Sequence, residues 1–371
     1  MKIATFNIQN VFHRHRELIK SSTSKNVSDW ISELDTLLRK PSKNIMDSER
    51  INTLSFLLGF DKVSDNPYAI LKTRSGELFF KGKVLENTTK ASFLTDWQGW
   101  TKLGNRPIHE RAIFSKAYMI AETNPDILIL QEVEDRASLM EFNTEFLPLL
   151  KVTPFTEVMV METNDARGLG MGVMLKNGYH LRGIKNHVHD LDDEGFTLFD
   201  VDCQEYSILT PEGDTIWIVN NQLSIQAEQR KKQAQKVADR YKQMQDDGKE
   251  MIVICGTLND VSYSDCLSSL LRETDLTEVS KCKIFESDQD NGKDGSYFRL
   301  GAYRMGINIK QQDYLLFSPK LFENVEEAGM NRKGTWPDRK PNWKLYPSIA
   351  SKYHAASEHP LIWANINSKI L

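Results

Sequence analysis

Five short polar motifs, each fixed to an end of an apolar strand-like run, constrain this chain more than any bulk property. Thr5-Phe6-Asn7 follows Met1-Lys2-Ile3, Gln131-Glu132-Val133-Glu134 follows Ile127-Leu128-Ile129-Leu130, and Gly256-Thr257-Leu258-Asn259-Asp260 follows Ile252-Val253-Ile254. Gln312-Asp313 leads into Tyr314-Leu315-Leu316-Phe317, and Ser357-Glu358-His359-Pro360 leads into Leu361-Ile362-Trp363. Apolar runs of strand length with polar residues at one end place reactive groups at a sheet edge, where α/β proteins gather their sites.

Helical patterns fall between these runs. Trp30, Ile31, Leu34, Leu37 and Leu38 recur at helical spacing over Asp29 to Leu38, and Ile51 to Phe60 is similarly apolar behind a cap at Asp47 or Ser48. Arg111 to Thr123 is a helix stopped by Asn124-Pro125, and Ala137 to Phe146 reads as the next. Gln226 to Met244 is a long polar helix with Ala227, Ala234, Val237 and Tyr241 on its inner face. Further strands are predicted at Val158 to Glu162, Gly172 to Leu175, Thr215 to Asn220, Met251 to Gly256, Asp313 to Ser318 and Leu361 to Ile366. Strands interleaved with helices predict a layered α/β protein.

The first strand and the helix before Glu132 are separated by about a hundred residues, whereas structureless loops beyond about 15 are uncommon. That stretch is expected to carry its own elements, including a hairpin of Tyr68 to Leu71 and Glu77 to Phe80 around Arg74-Ser75-Gly76. We read it as an elaboration at about 13–110 on a single domain spanning 1–371.

The net charge of −4, from 47 Lys and Arg against 51 Asp and Glu, excludes a protein coated in positive charge and leaves room for a local basic groove. Four cysteines without a CxxC pair point to neither a zinc site nor a disulfide framework. Met1 to Phe6 passes straight into polar Asn7, Gln9 and Asn10, unlike a secretory signal. No apolar run approaches the length of about 20 residues needed to cross a bilayer. A soluble, cytoplasmic protein without membrane partners is expected.

Glu132 at a strand end suits Mg²⁺ or Mn²⁺, hard ions that take oxygen ligands; a solvated strand end or a helix cap is the plainer role. Asp313 and His359 suggest an orienting carboxylate and a proton-transfer imidazole, because a neighbouring carboxylate fixes the tautomer and raises the pKa. Asn7 and Asn259 are neutral amides able to orient a carboxylate or donate to a phosphate oxygen, and are otherwise turn residues.

In order and spacing these motifs resemble the endonuclease/exonuclease/phosphatase superfamily, the DNase-like metal-dependent phosphodiesterases. The likeness runs through Asn7, Gln131-Glu132, Asp165-Ala166-Arg167-Gly168, Asn221-Gln222, Gly256-Thr257-Leu258-Asn259, Asp313-Tyr314 and Ser357-Glu358-His359. The resemblance implies a four-layer α/β/β/α sandwich and cleavage of phosphate esters with Mg²⁺ by in-line attack of water. It makes Glu132 the metal ligand with Glu358 beside it, pairs His359 with Asp313, and makes Asn7 and Asn259 orienting groups. Arg167, Asn221, Gln222 and Thr257 then fall on the substrate side of the site.

The sequence departs from that pattern at chemically important positions. Gln222 stands where the family has His, and cannot exchange a proton. Thr257 stands where the family has Asp, and is neither a base at neutral pH nor a strong Mg²⁺ ligand. Glu358 replaces Asp on a longer arm. Asp260 or Asp265 is in place to supply the missing carboxylate, or else to start a turn or helix. Losing one positioned acid or base costs about 10²–10⁴ in rate, so two readings stand: a metal-dependent, nuclease-like phosphodiester hydrolase, and an impaired relative that binds a phosphate-bearing ligand, nucleic acid or protein.

Arg332, Lys333, Trp336, Arg339, Lys340, Trp343 and Lys344 interleave cations with aromatics. Such a loop can grip a phosphate backbone and stack a base, which favours nucleic acid as partner over another phosphate ester; the alternative is a solvated loop with its tryptophans tucked onto the domain. His13-Arg14-His15-Arg16 offers further phosphate contacts or a solvated charge run. Nothing in the sequence sets the oligomeric state.

Overall fold

Runs such as Ile127–Val133 and Ile252–Thr257 are buried at every position, as expected of strands covered on both faces. In a computed structural model, residues 1–15, 25–40, 42–58, 69–73, 78–80, 99–103, 105–165, 167–287, 311–336 and 343–367 are described. The chain divides into two compact units, one of Met1–Phe12, Ile108–Asp165 and Leu169–Leu371, the other of His13–Pro107 with Ala166–Gly168.

In the first unit the strands are β1 (Lys2–Asn7), β2 (Ile127–Val133), β3 (Glu157–Glu162), β4 (Gly170–Leu175), β5 (His180–Asn186), β6 (Asp202–Leu209), β7 (Thr215–Gln222), β8 (Ile252–Thr257), β9 (Thr277–Glu278), β10 (Phe285–Ser287), β11 (Asp313–Phe317), β12 (Val325–Asn331) and β13 (Leu361–Ile366). One mixed sheet has the order β10-β12-β13-β1-β2-β4-β3, the other β5-β6-β7-β8-β11-β9. Ile3, Ile127, Ile129 and Val173 of the first sheet share one apolar cluster with Ile208, Ile218, Val253 and Leu315 of the second, so the sheets pack face to face. The opposite face of the first sheet, with Ala4, Phe6, Leu128 and Leu130, is covered by helices α1 (Glu110–Thr123) and α2 (Arg136–Glu141). Helix α3 (Ala227–Asp246) covers the outer face of the second sheet through Ala234, Val237, Ala238 and Tyr241. Four layers result, α/β/β/α, as the resemblance implies.

Within the first unit several elements differ from the sequence reading. Ala227, placed on the inner face of the long helix, is exposed, and Arg230 and Gln233 are buried there instead, because both make hydrogen bonds into neighbouring loops. The segment after α2 widens into a π-helical turn at Phe142–Phe146 and then tightens into a 3₁₀ turn at Pro148–Leu150. β5, β6 and β12 lacked the alternation that would have marked them. All four cysteines are free.

The second unit contains helices Lys25–Arg39 and Ile45–Leu58, which bury Leu34, Leu38, Ile51 and Leu54. The later helix starts earlier than Asp47 or Ser48 implied: the Asp47 amide donates to Asn44 Oδ1 and Asp47 Oδ2 accepts from the Asn44 amide, a reciprocal capping arrangement. Glu33 and Arg50 join the two helices in a bidentate pair. Ala69–Thr73 and Leu78–Phe80 pair antiparallel, with Gly99–Leu103 on the other edge; the turn expected at 74–76 lies outside the described residues.

Candidate active site

The register of the strands gathers the motifs. On the first sheet Asn7 is opposite Gln131 in the parallel pair of β1 and β2. On the second, Gln222 is opposite Thr257, and Thr257 is opposite Asp313. Alternation of side chains then puts the four polar strand-end residues Asn7, Gln222, Thr257 and Asp313 between the two sheets, one turn of pleat beyond the apolar core.

Two backbone irregularities aim the groups. β2 slips register between Leu130 and Val133, and Glu132 sits in that bulge at φ 55°, a left-handed conformation unfavourable for Glu. The loop after β1 fastens the bulge: the Ile8 amide donates to Gln131 O at 3.1 Å and the Asn10 amide to Glu132 O at 2.7 Å. In β8, Gly256 has φ 117°, and a Cβ there would stand 2.0 Å from Asn221 O. Only glycine lets β7 and β8 approach closely enough to align Gln222 with Thr257.

A continuous hydrogen-bonded chain crosses the end of the sandwich. Asn7 Nδ2 donates to Thr257 Oγ1 at 3.1 Å, and Thr257 Oγ1 donates to Asp313 Oδ1 at 2.8 Å. Asp313 Oδ2 lies 2.8 Å from His359 Nδ1. Gln222 Nε2 donates to Glu132 Oε1 at 2.8 Å. The His359 loop is pinned on both sides: Ser357 Oγ donates to Asn7 O and accepts from the His359 amide, and the Glu358 amide donates to Gln9 Oε1. Lys116 of α1, fully buried, donates through Nζ to Ile8 O and to Ala356 O, tying the β1 loop to the His359 loop.

Burial alone would depress the His359 pKa. It is outweighed by the charge and hydrogen bond of Asp313, with the charges of Glu132 and Glu358 adding, and the pKa is raised to about 9. At neutral pH the ring is therefore an imidazolium with Nδ1 committed to Asp313.

Of the residues expected in the site, Asn7, Glu132, Gln222, Thr257, Asp313 and His359 come together. Glu358 is at its edge with an exposed side chain. Asn259, at φ 56°, spends its amide on Leu223 O, and Asn221 donates to Val219 O within the second sheet; both hold backbone and neither joins the hydrogen-bonded chain. Arg167 is half-buried and belongs to the second compact unit. Asp260 is bound by Arg230 and Ser264, and Asp265 is exposed beside Arg272 at the start of a short 3₁₀ turn, so the carboxylate absent at Thr257 is replaced by neither. In the basic-aromatic loop, Trp343 is buried beneath Arg332 and donates through Nε1 to Arg332 O, and Trp336 packs on the α1 side of the core. The described tryptophans are thus tucked onto the domain; Arg339 and Lys340 lie outside the described residues, as does Arg16, while His13–His15 form a strand with Asn105–Pro107 in the second unit.

Gln9, Asn10, Lys116, Arg230 and Asn220 are used and went unmarked. The polar run Asn7-Ile8-Gln9-Asn10 carried a signal for the first two. Nothing along α1 or α3 distinguishes Lys116 or Arg230 from surface cations.

No group of three His, Cys, Asp or Glu side chains able to hold a metal ion occurs among the described residues. Beside the Glu132 carboxylate stands the side-chain amide of Gln222 instead. Gln222 Oε1 is buried without a hydrogen-bond partner. Hard divalent ions accept carbonyl oxygens alongside one or two carboxylates and retain water, so this donor set fits Mg²⁺ or Mn²⁺ chemically, at lower ligand charge than the resemblance implies.

Two mixed sheets face to face, helices on both outer faces and a polar cluster at one end of the sandwich define a four-layer α/β/β/α protein. No protein-family model matches the chain, and no curated protein does. Among solved structures it is similar to mannosyl-6-phosphatase Bt3783 of Bacteroides thetaiotaomicron VPI-5482, at 13% identity over 70% of this chain and 91% of that one, with TM-score 0.47. It is also similar to an endonuclease/exonuclease/phosphatase family protein of Bacteroides thetaiotaomicron, at 13% identity over 69% and 85% and TM-score 0.47. The human Nocturnin catalytic domain is 17% identical over 69% of this chain and 85% of its own, with TM-score 0.44. No helix among the described residues is long and apolar enough to cross a membrane.

Proposed function

We propose that this protein is a divalent-metal-dependent phosphodiester hydrolase, nuclease-like and cytoplasmic, acting by in-line attack of water on a phosphate ester, with nucleic acid as the favoured substrate class. The observation that carries the reading is the buried His359–Asp313 pair, coupled through Thr257 to Asn7 and set at the same sandwich end as Glu132.

Each residue has a task that its geometry supports. Asp313 fixes the ring of His359 and keeps it charged, leaving Nε2–H to donate to a phosphate oxygen and stabilise charge that grows there during attack. Glu132, fixed by the bulge, and Glu358 would hold Mg²⁺ or Mn²⁺, which supplies charge neutralisation and an acidified water when bound. Gln222 orients Glu132. Thr257 receives Asn7 and donates to Asp313, so it keeps those two groups in place and takes no proton from water. Without a carboxylate base at that position, hydrolysis is slower by about 10²–10⁴ than in a site that has one.

That same saturation of Thr257 favours the second reading, a relative that holds a phosphate-bearing ligand on His359 without turning it over. Hydrolysis of bis-p-nitrophenyl phosphate, plasmid DNA and single-stranded RNA in Mg²⁺ or Mn²⁺, with EDTA and His359→Ala controls, separates them. Metal-dependent turnover lost in His359→Ala is expected of the hydrolase. Turnover no higher than that of a folded His359→Ala protein leaves the binder.

A further inference from the structure

We propose that Asn10 is a cation-binding residue of this site, supplying with Gln222 the neutral oxygens that take the place of the missing carboxylate. The inference rests on the reading of Glu132 as a metal ligand. Its starting point is an anomaly. Asn10 is 1% exposed, yet neither Oδ1 nor Nδ2 has a hydrogen-bond partner. Buried side-chain amides are paired in the large majority of cases, and one left wholly unpaired calls for a ligand, a water or an ion.

The backbone strengthens the case. Gln9 and Asn10 are consecutive non-glycine residues at positive φ, 48° and 67°, a conformation such residues rarely hold except where the surroundings enforce it. The surroundings here are the site itself. The Gln9 amide donates to Asn7 Oδ1, Gln9 Oε1 accepts from the Glu358 amide, and the Asn10 amide donates to Glu132 O at 2.7 Å. The turn is bolted to three site residues, and the Asn10 side chain is its part without a partner.

Gln222 is the second, independent case: 5% exposed, Nε2 on Glu132 and Oε1 unpartnered. Two orphaned amides therefore belong to residues held at Glu132, Gln222 of β7 through its own side chain and Asn10 of the loop after β1 through its backbone amide. The chemistry they share is a carbonyl oxygen, a ligand suited to hard divalent ions and useless for proton transfer. A site assembled this way binds the ion with less ligand charge, hence more weakly than one built on carboxylates.

Mn²⁺ alone is the probe, followed by calorimetry and by its electron paramagnetic resonance signal, with circular dichroism confirming the fold. Asn10→Ala is expected to weaken Mn²⁺ binding about tenfold, and Asn10→Asp, which keeps the shape and adds a charge, to tighten it about tenfold. If Asn10→Ala fails to fold, the Asp variant decides. Unchanged affinity in the folded variants, with binding lost in Glu132→Gln, overturns the role of Asn10 and leaves the proposed hydrolase standing. No Mn²⁺ uptake by the wild-type chain at millimolar concentration overturns both.

Discussion

His359 Nδ1 lies 2.8 Å from Asp313 Oδ2 and 3.0 Å from Oδ1, although Asp313 opens β11 of one sheet and His359 precedes β13 of the other. The contact spans the sandwich, so it reports on both the packing of the sheets and the charge of the site.

Its first consequence is a pH dependence. The folded-state pKa of His359 is raised from 6.5 to about 9. The stability gained from the charged ring is therefore fully present below about 6.5 and lost as pH rises through about 9. The melting temperature of the wild-type chain should converge on that of His359→Gln across this window. Phosphate affinity should fall over the upper part of it. Asp313→Asn should bring the imidazole titration, followed by histidine NMR, below 9. A ring titrating near 6.5 in the wild-type chain would show that Asp313 does not act on it.

Gly256→Ala should destabilise the protein by on the order of 3 kcal/mol, because the added methyl meets Asn221 O at 2.0 Å and the backbone holds φ 117°. Loss of alignment between β7 and β8 should also lower phosphate affinity. Chemical denaturation monitored by circular dichroism measures the first effect. A cost below about 0.5 kcal/mol, the size of an ordinary surface change, would mean that the two strands separate easily there.

Much of this arrangement was legible along the chain because strand ends are marked twice, by apolar runs and by the polar residues that close them. Asn7, Thr257 and Asp313 could be placed at sheet edges on that basis, and the antiparallel or parallel register then did the rest. What the sequence hid depends on φ and on three-dimensional neighbours. Glu132 occupies a bulge that periodicity does not encode. Asn259 and Asn221 read as site amides but meet main-chain carbonyls first. Arg230 sits in a helix of polar composition and is buried only because two loops fold over it.

Arg230 makes those loops dependent on one side chain. Its Nη1 donates to Ser224 O and Ile225 O after β7, and its Nη2 donates to Asp260 Oδ2 at 2.7 Å after β8. Arg230→Lys keeps the charge but cannot reproduce three directed hydrogen bonds. It should cost about 1–3 kcal/mol, the penalty of leaving buried acceptors unmet. If turnover is found, KM should rise more than kcat falls, since neither loop carries Glu132 or His359. An equal loss in both would place Arg230 closer to the reacting atoms.

Thr257→Asp with Gln222→His restores the two proton-exchanging groups that the sequence lacks. Thr257→Asp alone sets a second carboxylate against Asp313, where Thr257 Oγ1 now lies 2.8 Å from Asp313 Oδ1. Like charges that close resist joint ionisation, so the metal-free single variant should lose about 1–3 kcal/mol. Mn²⁺, which binds the folded state, should return more stability to this variant than to the wild-type chain. With Gln222→His added, turnover of bis-p-nitrophenyl phosphate should rise by about 10²–10⁴, because acid and base act as a unit and neither substitution suffices alone. Activity confined to the double variant would identify the natural chain as a binder of phosphate esters. Activity already present in the wild-type chain and raised by the pair would identify a slow hydrolase whose rate is set by the hydroxyl of Thr257.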